Sequence, residues 1–194
     1  MSNEVETPLV GLQARHGSPL AYRVSDAAAL RELPDVSLFN LRLDPDAPAL
    51  VEAVRALGVE LPLRPNTVAQ GRGVLAMWLA PDEWLLRAEG AGRSDWAARI
   101  EASLAGRWFA VTEQTSGHSV VQLHGPGARD VLNAGCPLDL HPRALTLGQC
   151  AQSHFFKTGV LLRPLDEQGE GWELIVRRSF ADYAVRMLMD AMQS

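Results

Sequence analysis

The side chains able to do chemistry in this chain are scattered, and one stretch gathers several of them. Residues 111–140, VTEQTSGHSVVQLHGPGARDVLNAGCPLDL, hold Ser116, His118, His124, Asp130 and Cys136 among glycines. That mix invites a metal, a phosphate or a nucleophile, and each of these demands its own spacing. His118 and His124 are evenly spaced on an expected strand, so they share a face but lie about 20 Å apart at ~3.3 Å per residue, too far to chelate one ion. His141 and His154 could join one of them only through the tertiary fold, and no C-x-x-C, H-x-x-x-H or H-E-x-x-H occurs. Gly125-Pro126-Gly127 follows a strand and opens a helix, as a dinucleotide turn would. Pro126 has no amide to donate, and Asp130 stands at the third glycine position, where its carboxylate would repel pyrophosphate. No Gly-x-Ser-x-Gly elbow is present around any serine. Cys136 sits just past an expected helix C-terminus, whose partial negative charge disfavours a thiolate. We therefore expect no catalytic residue and no metal ligand.

Other charged groups come in adjacent pairs. Asp82-Glu83 and Asp166-Glu167 occupy turns and read as solvated. Arg177 and Arg178 end a strand, where neighbours point to opposite faces, so one could meet a partner's carboxylate. An anion could also rest at the helix N-terminus that follows; a plain solvated pair is the alternative. Five tryptophans stand at 78, 84, 96, 108 and 172. Most should be core, but Trp78 alternates against Leu75, Met77 and Leu79 and could face outward. Trp78, Arg177 and Arg178 are thus the candidates for a partner interface.

The elements that must position these groups follow from periodicity and turn chemistry. Residues 1–35 read as an N-terminal arm with one short helix, capped by Ser25-Asp26 and running through Leu33. VSLFNLRL at 36–43 alternates as a strand. Asp44 or Asp46 should cap a helix carrying Leu50, Val54 and Leu57 and stopping at Gly58. Strands then surround the turns Gly71-Arg72-Gly73 and Pro81-Asp82. Ser94 should cap a helix with Trp96, Ile100 and Leu104 on one face. Strands 108–115 and 118–124 are expected to meet in a hairpin at Ser116-Gly117, and Gly125-Pro126 to start a helix. Strands near 148–156, 158–164 and 172–177 precede a last helix capped by Ser179 and striped by Phe180, Ala184, Met187, Leu188 and Ala191. The order gives an α+β fold: one domain over 1–194 made of two small sheet-plus-helix lobes, about 36–106 and 107–194.

The chain has 194 residues with 47% apolar and 21% charged, enough for a core without staples. Net charge is -5, and the 18 Lys and Arg are dispersed, which argues against nucleic-acid binding. Lys157 is the only lysine; guanidinium favours planar bidentate partners such as carboxylates. No apolar run reaches membrane-span length, and the N-terminus lacks a leader pattern, so we expect a cytoplasmic protein with Cys136 and Cys150 reduced.

Four segments carry a family resemblance: SLFNLRLDP at 37–45, LAPDEWLL at 79–86, the stretch 111–140, and RRSFADYAVRMLMDA at 177–191. Together and in this order they resemble the gamma-subunit family of heterotetrameric sarcosine oxidase. The resemblance implies a fold similar to the folate-binding region of the glycine-cleavage T-protein. It also implies alpha, beta and delta partner subunits. The complex would demethylate sarcosine oxidatively to glycine, with hydrogen peroxide and methylene-tetrahydrofolate formed. FAD, FMN, NAD, tetrahydrofolate and zinc would lie on other subunits, with no cofactor on this one. Folate-binding relatives hold the pterin with a strand acid; 148–156 and 120–125 carry none, which leaves Glu113 as the candidate there. An accessory subunit is the leading reading, and an independent folate or pterin binder the alternative.

Overall fold

The computed structural model describes residues 7–89 and 93–193 and divides into two compact units, residues up to Pro34 with those from Ser116 onward, and Asp35–Thr115. The chain opens with helix α1 (Val10–His16) and strands β1 (Ala21–Ser25) and β2 (Ala28–Glu32). Then come β3 (Val36–Leu43), α2 (Pro48–Arg55), β4 (Val68–Gln70), β5 (Val74–Ala80), β6 (Glu83–Glu89), α3 (Arg93–Leu104) and β7 (Phe109–Glu113). After a 3-10 turn at Thr115–Gly117 follow β8 (His118–His124), α4 (Ala128–Asn133), β9 (Ala151–Phe155), β10 (Thr158–Pro164), β11 (Gly171–Arg177) and α5 (Arg178–Ala191).

The Asp35–Thr115 unit is a five-stranded antiparallel sheet in the order β4-β5-β6-β3-β7. Phe39, Leu41 and Leu43 leave β3 on one face and pack with Leu50 and Val54 of α2 and Trp96, Ile100 and Leu104 of α3. The i, i+4, i+8 spacing of that last trio is what turns α3 onto the sheet. Pro48 occupies the first turn of α2, where its missing amide costs nothing. Asp44 does not cap this helix: its Oδ1 accepts from Asp46 N, closing a local turn. Ser94 falls within α3 rather than before it.

The other unit is a six-stranded antiparallel sheet in the order β1-β2-β8-β11-β10-β9. One face carries Leu30, Val121, Leu123, Leu162, Trp172 and Leu174, packed with residues of α1, α4 and α5. Trp172 is fully buried, and its Nε1 donates to Gly169 O at 2.9 Å.

Four sequence expectations are corrected here. The expected helix over 26–33 is a turn followed by β2, because Ala28, Leu30 and Glu32 alternate inward with Ala29 and Arg31 outward. The expected arm is therefore two strands and a helix of the six-stranded unit. The buried Glu32 carboxylate fastens it, accepting from Thr7 Oγ1 (2.5 Å), Gln13 Nε2 (2.6 Å) and Leu20 N (3.3 Å). The expected hairpin at Ser116-Gly117 does not form. β7 pairs with β3 and β8 with β2 and β11, in different sheets. A tight two-residue hairpin needs positive φ at its centre, and Gly117 lacks it. Instead Thr115 Oγ1 accepts from Leu38 N and Glu113 Oε1 from Thr115 N, which ends the ladder. The lobe boundary consequently falls at 115/116 rather than 106/107. Finally, α5 begins at Arg178, so Ser179 is not its cap, and its buried face is Ala181, Ala184, Val185, Leu188 and Met189, with Phe180 exposed. Phe180 lies one position off the arc that meets the sheet.

Candidate functional site

A row of polar side chains with a buried centre crosses four strands of the six-stranded sheet. Arg31, Gln122, Glu173 and Arg163 stand directly opposite one another along β2, β8, β11 and β10. Strand pairing alone places them, since opposite residues share a face. Gln122 Oε1 accepts from Arg31 Nε at 3.0 Å and Nη2 at 2.5 Å. Gln122 Nε2 donates to Glu173 Oε2 at 3.0 Å, and Arg163 Nε donates to Glu173 Oε1 at 2.9 Å. Glu173 is 1% exposed and Gln122 7%. A carboxylate so buried needs its charge matched, and Arg163 does that. Both Glu173 oxygens and both ends of the Gln122 amide are engaged, so the row can hold strands in register but presents no unengaged carboxylate oxygen for a substrate proton.

His124 borders this row, its Nε2 lying 3.2 Å from Gln122 Oε1. Burial pushes its pKa down, the Arg31 charge adds to that, and Asp166 opposes it. Asp166 itself caps the β10–β11 turn, Oδ1 accepting from Gln168 N and Glu170 N.

The glycine loop after β8 has a packing role. Gly125 lies at φ +122, and a Cβ there would meet Ala27 O at 2.4 Å. Gly127 N donates to Ala27 O and Gly125 N to Glu170 O, both at 2.8 Å. The amides an anion would need are spent on the β1–β2 turn and the β10–β11 loop. The helix begins at Ala128, after Gly127 rather than at Pro126.

Other sequence candidates are dispersed. Glu113 is exposed on β7 and already accepts from Thr115 N. His118 begins β8 opposite the exposed Arg177, while His124 closes that strand. His141 accepts from Arg143 N through Nδ1, and His154 is exposed on β9. Cys136 and Cys150 are buried and unbridged, with Cys136 Sγ 3.8 Å from Ser153 Oγ. Asp82 pairs with Arg42 at 2.8 Å, and Glu83 accepts from Asn40 at 2.7 Å. Arg178 is half-buried in the first turn of α5. Among the described residues, no three His, Cys, Asp or Glu side chains converge as a metal site. No helix there is long and apolar enough to cross a membrane.

Trp78 does not face outward. It is half-buried against the helix-side core of its unit, opposite Trp84. The alternation was legible, but which face the helices cover was not. Trp108 is the exposed tryptophan, at 95%. The turn signal of Gly106 just before it could have marked it as a loop residue rather than core.

Comparisons with known proteins place this geometry in a family. A model of the sarcosine oxidase, gamma subunit family matches residues 42–194. The sarcosine oxidase subunit gamma of Arthrobacter sp is 34% identical over 168 residues, covering 86% of this chain and 80% of that protein. The corresponding subunit from Corynebacterium sp. (strain U-96) is 34% identical over 167 residues, with 86% and 80% covered. A chain of the heterotetrameric sarcosine oxidase from Corynebacterium sp. U-96, solved with pyrrole 2-carboxylate, superposes with TM-score 0.85 at 31% identity, covering 97% of this chain and 94% of that one. The glycine cleavage system aminomethyltransferase T from Bartonella henselae shares the fold, with TM-score 0.67 at 19% identity over 95% of this chain and 57% of its own. The α+β architecture and its likeness to the T-protein are thereby established, and the chain belongs to the sarcosine oxidase gamma-subunit family.

Proposed function

We propose that this chain is a non-catalytic accessory subunit of a heterotetrameric sarcosine oxidase, assembling with alpha, beta and delta chains in the cytoplasm. In this reading the complex demethylates sarcosine oxidatively to glycine, with hydrogen peroxide and, from tetrahydrofolate, methylene-tetrahydrofolate as co-products. FAD, FMN, NAD, tetrahydrofolate and zinc are held by the other subunits. The observation that carries the reading is the superposition on a chain of a heterotetrameric sarcosine oxidase over 97% of this chain. The engaged state of Glu173, Gln122 and the Gly125–Gly127 amides supports a structural role for the groups most able to serve a ligand. The alternative, independent folate or pterin binding, is supported by fold likeness alone.

The test is co-expression with the alpha, beta and delta chains. The expected result is a stoichiometric complex, whereas this chain isolated alone is colourless and inert toward sarcosine. Failure to co-purify would overturn the subunit assignment. Tetrahydrofolate binding by the isolated chain in calorimetry would favour the alternative.

A further inference from the structure

The subunit reading raises the question of which surface meets a partner, and the five-stranded sheet offers an answer that rests on that reading. β7 closes one end of the sheet, and among the described residues it pairs with β3 alone. Register decides which of its backbone groups face the open side. Gln114 N donates to Leu38 O, its direct opposite, so Asn40–Thr112 and Arg42–Ala110 are the hydrogen-bonded pairs further along. The other flank of β3 agrees: Leu43 N donates to Asp82 O, which turns the alternate β3 residues toward β6. The N–H and C=O groups of Phe109, Val111 and Glu113 therefore point away from the sheet.

Sheet edges are normally blunted by brevity, bulges, charge or proline. β4, at the opposite end, has three residues. β1 has a register shift between Arg23 and Ser25. β7, with sequence FAVTE, has neither lysine nor proline and is exposed at Ala110, Thr112 and Glu113. It begins beside Trp108, which is 95% exposed. Trp108, Phe109, Pro45, Arg42, Asp44 and Asp82 border a concavity of about 500 Å³. Arg42 is paired with Asp82 at 2.8 Å, so Asp44 leaves this hollow net negative.

We propose that β7 is a strand-addition site. An extended segment of another subunit lies along Phe109–Glu113 as a further strand, and a basic side chain of that segment stacks on Trp108 facing Asp44. The unpaired amides supply the register, and the aromatic face and carboxylate supply the choice of partner.

Val111→Pro deletes an outward amide while sparing every β3–β7 hydrogen bond, and Trp108→Ala trims a side chain that packs on almost nothing. In co-expression with the partner chains, Trp108→Ala should lower assembly affinity about tenfold or more with the melting temperature of the isolated chain unchanged, and Val111→Pro should do so relative to Val111→Ala, which loses the same core packing but keeps the outward amide. Amide exchange at Phe109, Val111 and Glu113 should slow by at least about tenfold on assembly. Wild-type-like assembly of both variants, or loss of assembly with Phe180→Ala alone, overturns the strand-addition site while leaving the subunit reading intact. If the wild-type chain itself fails to assemble, both readings fall together.

Discussion

Gly125→Ala separates two meanings of the glycine loop. If Gly125 and Gly127 existed to cradle an anion, adding one methyl at Gly125 would weaken ligand binding and leave folding almost intact. The structure says otherwise. The new Cβ would lie 2.4 Å from Ala27 O and 2.9 Å from Ala27 C, both backbone atoms. Relief requires the β1–β2 turn to move, which strains the Gly127 N to Ala27 O and Gly125 N to Glu170 O bonds. Holding a non-glycine residue at φ +122 adds about 1–3 kcal/mol. Two weakened backbone hydrogen bonds add about 1 kcal/mol each, so the total is about 3–5 kcal/mol. Gly148 is the internal standard: its φ is +84, and nothing lies within 4 Å of a built Cβ. Gly148→Ala should therefore cost only the backbone term, about 1–2 kcal/mol. Urea denaturation followed by far-UV circular dichroism measures both variants. Equal losses, or a Gly125→Ala variant as stable as wild type, would refute the packing argument and reopen the loop as a binding element.

Further outcomes follow from the buried polar groups. Glu173→Leu strands the Arg163 guanidinium, whose side chain is 15% exposed, and should destabilise by about 2–4 kcal/mol. The double variant with Arg163→Met should recover at least half of that loss, and a strictly additive cycle in denaturation would defeat the ion-pair account. Glu32→Ala leaves Leu20 N without its side-chain acceptor and frees α1 from its tether. It should cost about 2 kcal/mol and open the α1–β1 segment to limited proteolysis, whereas unchanged resistance would contradict the tether. His124 has a folded pKa below its ordinary 6.5, so the unfolded chain takes up the proton first as pH falls. Stability should be full above about pH 6.5 and decline as pH drops toward the lowered folded value, and His124→Asn should flatten that segment of the pH–stability curve.

Local sequence determined much of the secondary structure. β3, α2, α3, β9, β10, β11 and α5 stand close to where alternation, helical stripes and turn residues put them, because these signals act within one element. Tertiary structure decided the rest. Ser116-Gly117 has hairpin residues, yet β7 and β8 found their partners in β3, β2 and β11. Residues 26–33 have helix formers, yet pairing with β8 made Ala28–Glu32 a strand. Glu32, Gln122 and Glu173 look like ordinary surface polar residues in sequence; strand register brought partners to Gln122 and Glu173, and the docking of α1 brought Gln13 to Glu32. The facing of Trp78 turned on which side of the sheet α2 and α3 cover. Periodicity states that a strand has two faces; the packing of distant helices decides which one is core, and cross-strand pairing decides which polar groups meet.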